Sequence, residues 1–173
     1  MNRKTCVRRT AVYGVMLALA LVLSFVEHHL PSPGMPGIKL GLANVVALLL
    51  LYRTGFPGAL AVNALRVVLA NLLFGSAASM LYGLAGGICA VICMALLYRL
   101  PRFSPVGVSA AGGIVHNFAQ LVCAAAVTES LAVFGYAPAL LVSGTLCGVL
   151  TGFCAAGVIR ALPNSRNEVK KSK

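Results

Sequence analysis

Aspartate is missing from all 173 residues, tryptophan is missing too, and glutamate occurs only as Glu27, Glu129 and Glu168. This scarcity excludes much chemistry. Enzymes that transfer diphosphates through Mg²⁺ gather the ion on several carboxylates, and three glutamates far apart in sequence do not form such a cluster. No G-x-x-x-x-G-K-[ST] run is present to cradle a nucleotide phosphate, so the chain has no phosphate loop with which to hydrolyse ATP. The cysteines, Cys6, Cys89, Cys93, Cys123, Cys147 and Cys154, are scattered. Cys89 and Cys93 share a helical face, but no histidine or carboxylate stands near them at metal-ligand spacing. They read as small apolar filler. The expectation is a protein that is not an enzyme and holds neither metal nor cofactor.

Apolar residues are what the chain has in quantity. They make up 60% of it against 10% charged, and the mean hydropathy of +0.93 lies far above that of soluble domains. Six runs have the length of a membrane-spanning helix: Thr10 to Val26, Ile38 to Tyr52, Pro57 to Leu73, Ser79 to Tyr98, Val106 to Thr128 and Val133 to Ile159. The first follows Arg3, Lys4, Arg8 and Arg9 like a signal peptide, but no small-residue cleavage site precedes Pro31, so it reads as a retained helix. The predicted fold is an all-α membrane protein of six transmembrane helices over 10–159, between a basic amino terminus (1–9) and a basic tail (160–173).

The net charge of +11 follows topology and does not signal a nucleic-acid partner. With both termini on one side of the membrane, Arg3, Lys4, Arg8, Arg9, Arg53, Arg99, Arg102, Arg160, Arg166, Lys170, Lys171 and Lys173 share that side. The positive-inside rule makes it the cytoplasm, an N-in, C-in orientation. Lys39 and Arg66 are the exceptions.

Arg66 falls in the middle of the third run, roughly 14 Å along a helix starting at Pro57, where an unsupported guanidinium costs about 3 to 10 kcal/mol. Other polar residues gather at similar depth. Asn63 and Asn71 share a side of the helix with Arg66, and Lys39 and Asn44 lie on the second run. Ser109, Gly113, His116, Asn117 and Gln120 fall within an arc of about 100° on the fifth. Sorted by depth, most lie from the midplane outward, while Glu27 and Glu129 stand near the outer mouth. This layout fits a pocket open to the outside, lined by Arg66, Asn71, Asn44, Lys39, His116, Asn117 and Gln120 and covered by the Pro- and Gly-rich loop from Glu27 to Lys39. Cations and amides without a carboxylate at their own depth favour an anionic or strongly hydrogen-bonding solute. Two plainer readings stand beside it: Glu27 or Glu129 neutralises Arg66 in an internal network, and His116 is a satisfied core residue.

Small residues form stripes at helical spacing. Ala11, Gly14 and Ala18 on the first run suit either internal packing or close docking of a partner subunit; Gly83 and Gly87 on the fourth, and Gly144, Gly148, Gly152 and Ala156 on the sixth, suit tight helix packing.

Four runs, PGIKLGLANVV (Pro36 to Val46), RVVLANLLFGS (Arg66 to Ser76), LAGG (Leu84 to Gly87) and SPVGVSAAGGIVHNFAQ (Ser104 to Gln120), resemble a bacterial family that carries two labels, heptaprenyl diphosphate synthase component I and Gx transporter. The resemblance extends over roughly Ala11 to Ile159. It implies kinship with the substrate-binding S components of energy-coupling-factor transporters. These six-helix proteins of the cytoplasmic membrane bind a vitamin or related solute from outside and dock on a transmembrane coupling subunit with two ATPases. The resemblance makes the Ala11, Gly14 and Ala18 face the docking surface. The synthase label implies at most a non-catalytic accessory role, since a chain without aspartate has no Asp-rich motif. A reporter active only in the cytoplasm, inserted between Glu27 and Gly37, is expected to be silent; activity there contradicts the orientation.

Overall fold

The computed structural model describes residues 3–30 and 41–161. Among them it has six α-helices: α1 (Arg3–His29), α2 (Asn44–Arg53), α3 (Phe56–Phe74), α4 (Ala77–Tyr98), α5 (Pro105–Thr128) and α6 (Ala137–Ala161), with a short 3-10 helix, Leu131–Tyr136, leading into α6. Boundaries follow local chemistry. Pro57 and Pro105 occupy the first turns of α3 and α5, where a missing N–H goes unnoticed. Ser76 and Ser104 cap α4 and α5 by accepting hydrogen bonds from the backbone N–H groups of Ser79 and Gly107, each at 3.2 Å. At the far end of α5, Glu129 closes the helix in the left-handed region at φ 50°.

Five stretches, Val7–His29, Phe56–Phe74, Ala77–Tyr98, Pro105–Thr128 and Leu131–Ala161, are long and apolar enough to cross a membrane. Their outward faces are apolar as well, with Leu65, Leu72, Phe118, Leu150 and Phe153 exposed around the bundle. This is the architecture of a multi-pass membrane protein.

Two expected boundaries change. The first helix does not stop at Val26 but continues to His29, since neither Pro nor Gly interrupts the chain before Pro31. The second run does not form a helix of spanning length. Its helix has 10 residues, about 15 Å and so about half the apolar slab. Gly41, at φ +87°, breaks the backbone ahead of it.

The short α2 is the centre of the molecule. It contacts each of the other five helices, and Val46, Ala47, Leu48, Leu49, Leu50 and Leu51 are all buried. Around it, α3 packs on α1 and α4, α4 on α5, and α5 on α6. The α5–α6 contact is closest. A Cβ on Gly148 would lie 2.7 Å from the Ala110 Cα, and one on Gly152 would lie 2.7 Å from the Val106 Cα. The glycine stripe of α6 therefore lets two backbones touch. Cys89, Cys93, Cys123, Cys147 and Cys154 are free, and no metal-holding group of three His, Cys, Asp or Glu exists among the described residues.

Gly148→Ala should destabilise the purified protein by about 1–3 kcal/mol through overpacking. Gly157→Ala, where nothing lies within 4 Å, should be neutral or stabilising by up to about 1 kcal/mol. Thermal unfolding in detergent compares them, and equal effects would refute the packing account.

Candidate functional site

Helices α2 and α3 are joined by Thr54 and Gly55 alone, so they pack antiparallel. Asn44 lies nine residues before Arg53, and Arg66 ten after Phe56, roughly 14 and 15 Å from the turn. His116, eleven residues after Pro105, reaches about the same height on α5. The level at which α2 begins is therefore the level of Arg66 and His116. Buried leucines fill the bundle centre on one side of this level, and polar groups collect at it.

Arg66 is 4% exposed. One guanidinium nitrogen donates to Asn63 Oδ1 at 2.7 Å, and the other to Ser24 Oγ at 3.3 Å. The charge acting on it comes from Glu27, also 4% exposed, one turn beyond Ser24 on α1. The Glu27 carboxylate in turn accepts hydrogen bonds from the backbone N–H of Gly41 and, at 3.4 Å, of Leu42. These N–H groups belong to the turn that leads into α2, a helix that no side chain caps. Here the expectation that Arg66 has no carboxylate at its depth is corrected. With α1 continuing to His29, Glu27 belongs to a helix and faces the bundle interior, not the outer mouth. Of the two carboxylates considered for Arg66, Glu129 sits exposed at the end of α5.

The amides and the imidazole adjoin this charge pair. His116 lies between two glycines: a Cβ on Gly41 would be 3.6 Å from its Cδ2, and one on Gly86 of α4 would be 3.2 Å from its Cε1. The Gly86 Cβ would also come within 2.7 Å of Gln120 Cγ, and that of Gly41 within 2.9 Å of Asn44 Nδ2. Gly41, Gly86, Asn44, His116 and Gln120 thus form one cluster. Asn44 and Gln120 are 4% and 0% exposed, and neither the oxygen nor the nitrogen of either amide has a hydrogen-bond partner among the described residues. Each such group costs about 1–3 kcal/mol in a protein interior.

The other expected site residues are placed differently. Asn117 turns toward α6, donating to the Leu140 carbonyl at 2.7 Å, and serves there as a bond between helices. Asn71 donates to the Val67 carbonyl of its own helix at 2.7 Å and lies beside Gly75, more than a turn beyond Arg66. Lys39 and most of the expected covering loop lie outside the described residues, while Glu27, His28 and His29 of that loop belong to α1. Ala11, Gly14 and Ala18 are exposed on the outside of α1, with nothing within 4 Å of a Cβ at Gly14. Internal packing does not account for that stripe.

Sequence reasoning missed Ser24, left Asn63 out of the site, and considered Glu27 only as part of the covering loop or as one of two carboxylates that could neutralise Arg66. The signal was available in the spacing of Ala20, Ser24 and Glu27, at intervals of four and three, which is one face of a continuous helix. All three are buried.

The bundle is a polytopic helical membrane protein with a buried arginine, a buried glutamate and unpartnered amides at its centre. The chain belongs to the heptaprenyl diphosphate synthase component I family, whose model matches residues 16–158. No curated relative and no solved structure matches it.

Arg66→Ala leaves the buried Glu27 carboxylate uncompensated and should destabilise the protein by about 3–5 kcal/mol. Glu27→Gln combined with Arg66→Ala should recover part of that loss, giving a coupling of about 1 kcal/mol or more in a double-mutant cycle of detergent-solubilised protein. Additive effects would show that the two charges do not act on one another.

Proposed function

We propose that the chain is the substrate-binding membrane subunit of an uptake transporter, of the S-component type, for a small anionic solute. The observation that carries this reading is the pair of buried amides, Asn44 and Gln120, whose polar atoms have no partner among the described residues. They lie beside His116, at the level of Arg66 and at the amino end of α2. A folded chain retains unsatisfied amides in its core where a ligand completes their hydrogen bonds. A guanidinium and a helix amino terminus at the same place select an oxyanion. In this reading the termini face the cytoplasm of a bacterial cell, the solute enters from outside, and the exposed Ala11, Gly14 and Ala18 face docks on a transmembrane coupling subunit that works with ATPases. The leucines of α2 close the site on the cytoplasmic side.

The family description favours a second reading, a non-catalytic accessory component of heptaprenyl diphosphate synthesis. The two readings share a ligand class if the solute is a prenyl diphosphate or a precursor of one. They part on a single assay: an accessory component changes the chain-length distribution made by the soluble catalytic subunit, and a transport subunit does not.

Gln120→Leu tests the site itself. It removes both unpartnered polar atoms at similar volume, so it should raise the melting temperature of the purified protein while abolishing retention of the solute, the trade expected of a binding residue. Loss of stability with solute retention unchanged would assign Gln120 to the fold alone.

A further inference from the structure

Glu27 is the only acidic side chain in the buried cluster, and it is held in an unusual way. Its carboxylate accepts from two backbone N–H groups at the start of α2 and acts electrostatically on Arg66. Neither kind of partner is specific to a glutamate. Backbone N–H groups at a helix start, with the positive end of the helix dipole behind them, suit any oxyanion, phosphate included. A guanidinium likewise accepts carboxylate and phosphate alike.

The surroundings exceed what Glu27 uses. The Asn44 amide nitrogen stands 2.9 Å from where a Gly41 Cβ would be, adjacent to the N–H that Glu27 occupies, and the Asn44 side chain makes no hydrogen bond among the described residues. Gln120 is in the same condition. A seat built only to neutralise Arg66 with a glutamate has no use for either amide. The helix that carries the carboxylate is also the one held most lightly. Of the five long stretches, the α1 stretch is the least buried, so withdrawing a residue near its end disturbs little of the packed core.

We infer that Glu27 is an exchangeable internal anion, occupying the seat formed by the Gly41 and Leu42 N–H groups, within the field of Arg66, that the phosphate or carboxylate group of the solute takes over when it binds. This rests on the proposed binding role of the cluster and adds to it how the site stays neutral in both conditions. Arg66 is never left without a counter-charge, because one oxyanion replaces another. The incoming group gains the Asn44 and Gln120 amides that Glu27 does not engage. Release of Glu27 unties α1 from the turn before α2, a tie between residues 14 positions apart in sequence.

The small number of glutamates makes the exchange measurable. The full chain, labelled with ¹³C at glutamate Cδ and held in lipid nanodiscs, gives three side-chain carboxyl signals, from Glu27, Glu129 and Glu168. The Glu27 signal is assigned by its loss in Glu27→Gln. The probe is inorganic diphosphate. The expected result is a shift of the Glu27 signal alone on titration, together with binding about tenfold tighter to Glu27→Gln than to the unsubstituted chain, a gain of ~1.4 kcal/mol from removing the internal competitor. Glu27→Ala should also bind more tightly, and Arg66→Met should bind no diphosphate. If diphosphate binds in an Arg66-dependent way while the Glu27 signal stays in place, or if both Glu27 variants bind equally or more weakly, the exchange is wrong and the binding site stands. If neither the unsubstituted chain nor the Glu27 variants bind diphosphate, the oxyanion site falls and the exchange falls with it.

Discussion

A guanidinium inside an apolar slab is the constraint from which the rest of this structure follows. Unsupported, Arg66 would cost several kcal/mol or more, and three helices contribute to offsetting that. Helix α3 supplies Asn63 one turn below, and α1 supplies Ser24 as an acceptor and Glu27 as counter-charge. Helix α2 supplies two backbone N–H groups that hold the carboxylate in turn. Removing any one member leaves another polar group buried without compensation. That interdependence is why the charges lie at the meeting point of α1, α2 and α3 and not on a lipid-facing surface.

The half-length of α2 gives this cluster its place. A helix of full spanning length at the bundle centre would have satisfied its own backbone throughout and left no free N–H at mid-depth. By starting at the level of Arg66, α2 delivers a helix amino terminus into the apolar interior, and its buried leucines seal the bundle on the other side of that level. Gly41 makes the start possible through its positive φ. Gly86 lets the side chains of His116 and Gln120 come up against α4. The α1 helix reaches the same cluster with Glu27 while presenting Ala11, Gly14 and Ala18 outward, so one lightly packed helix links the site to an exposed face.

Much of this was legible in the residues. Hydropathy located the helices, because an apolar run long enough to span a membrane has few other uses, and the anomalous depth of Arg66 and His116 pointed to the buried polar cluster. Glycine spacing on α6 was correctly read as packing. What was not legible came from two boundaries. Ending the first helix at Val26 turned Glu27 into a loop residue and left its place in the bundle interior unseen, and treating the second run as a full span hid the helix amino terminus. Both errors concern where a helix stops, which hydropathy averages over several residues and does not resolve. Asn117 lies beside His116 in sequence, and the rotation of about 100° between successive helix positions takes its amide nitrogen to the Leu140 carbonyl of α6, while its Oδ1 has no hydrogen-bond partner among the described residues.

The proposed transport role rests on one physical claim: the centre of this bundle holds a small oxyanion on Arg66, the start of α2, Asn44 and Gln120. Native mass spectrometry of the protein purified from its own host tests that claim directly. The account predicts a retained small molecule bearing phosphate or carboxylate, present on the unsubstituted chain and absent from Arg66→Met. A chain that comes off its membrane with no such molecule, or with the same one after Arg66→Met, would contradict it.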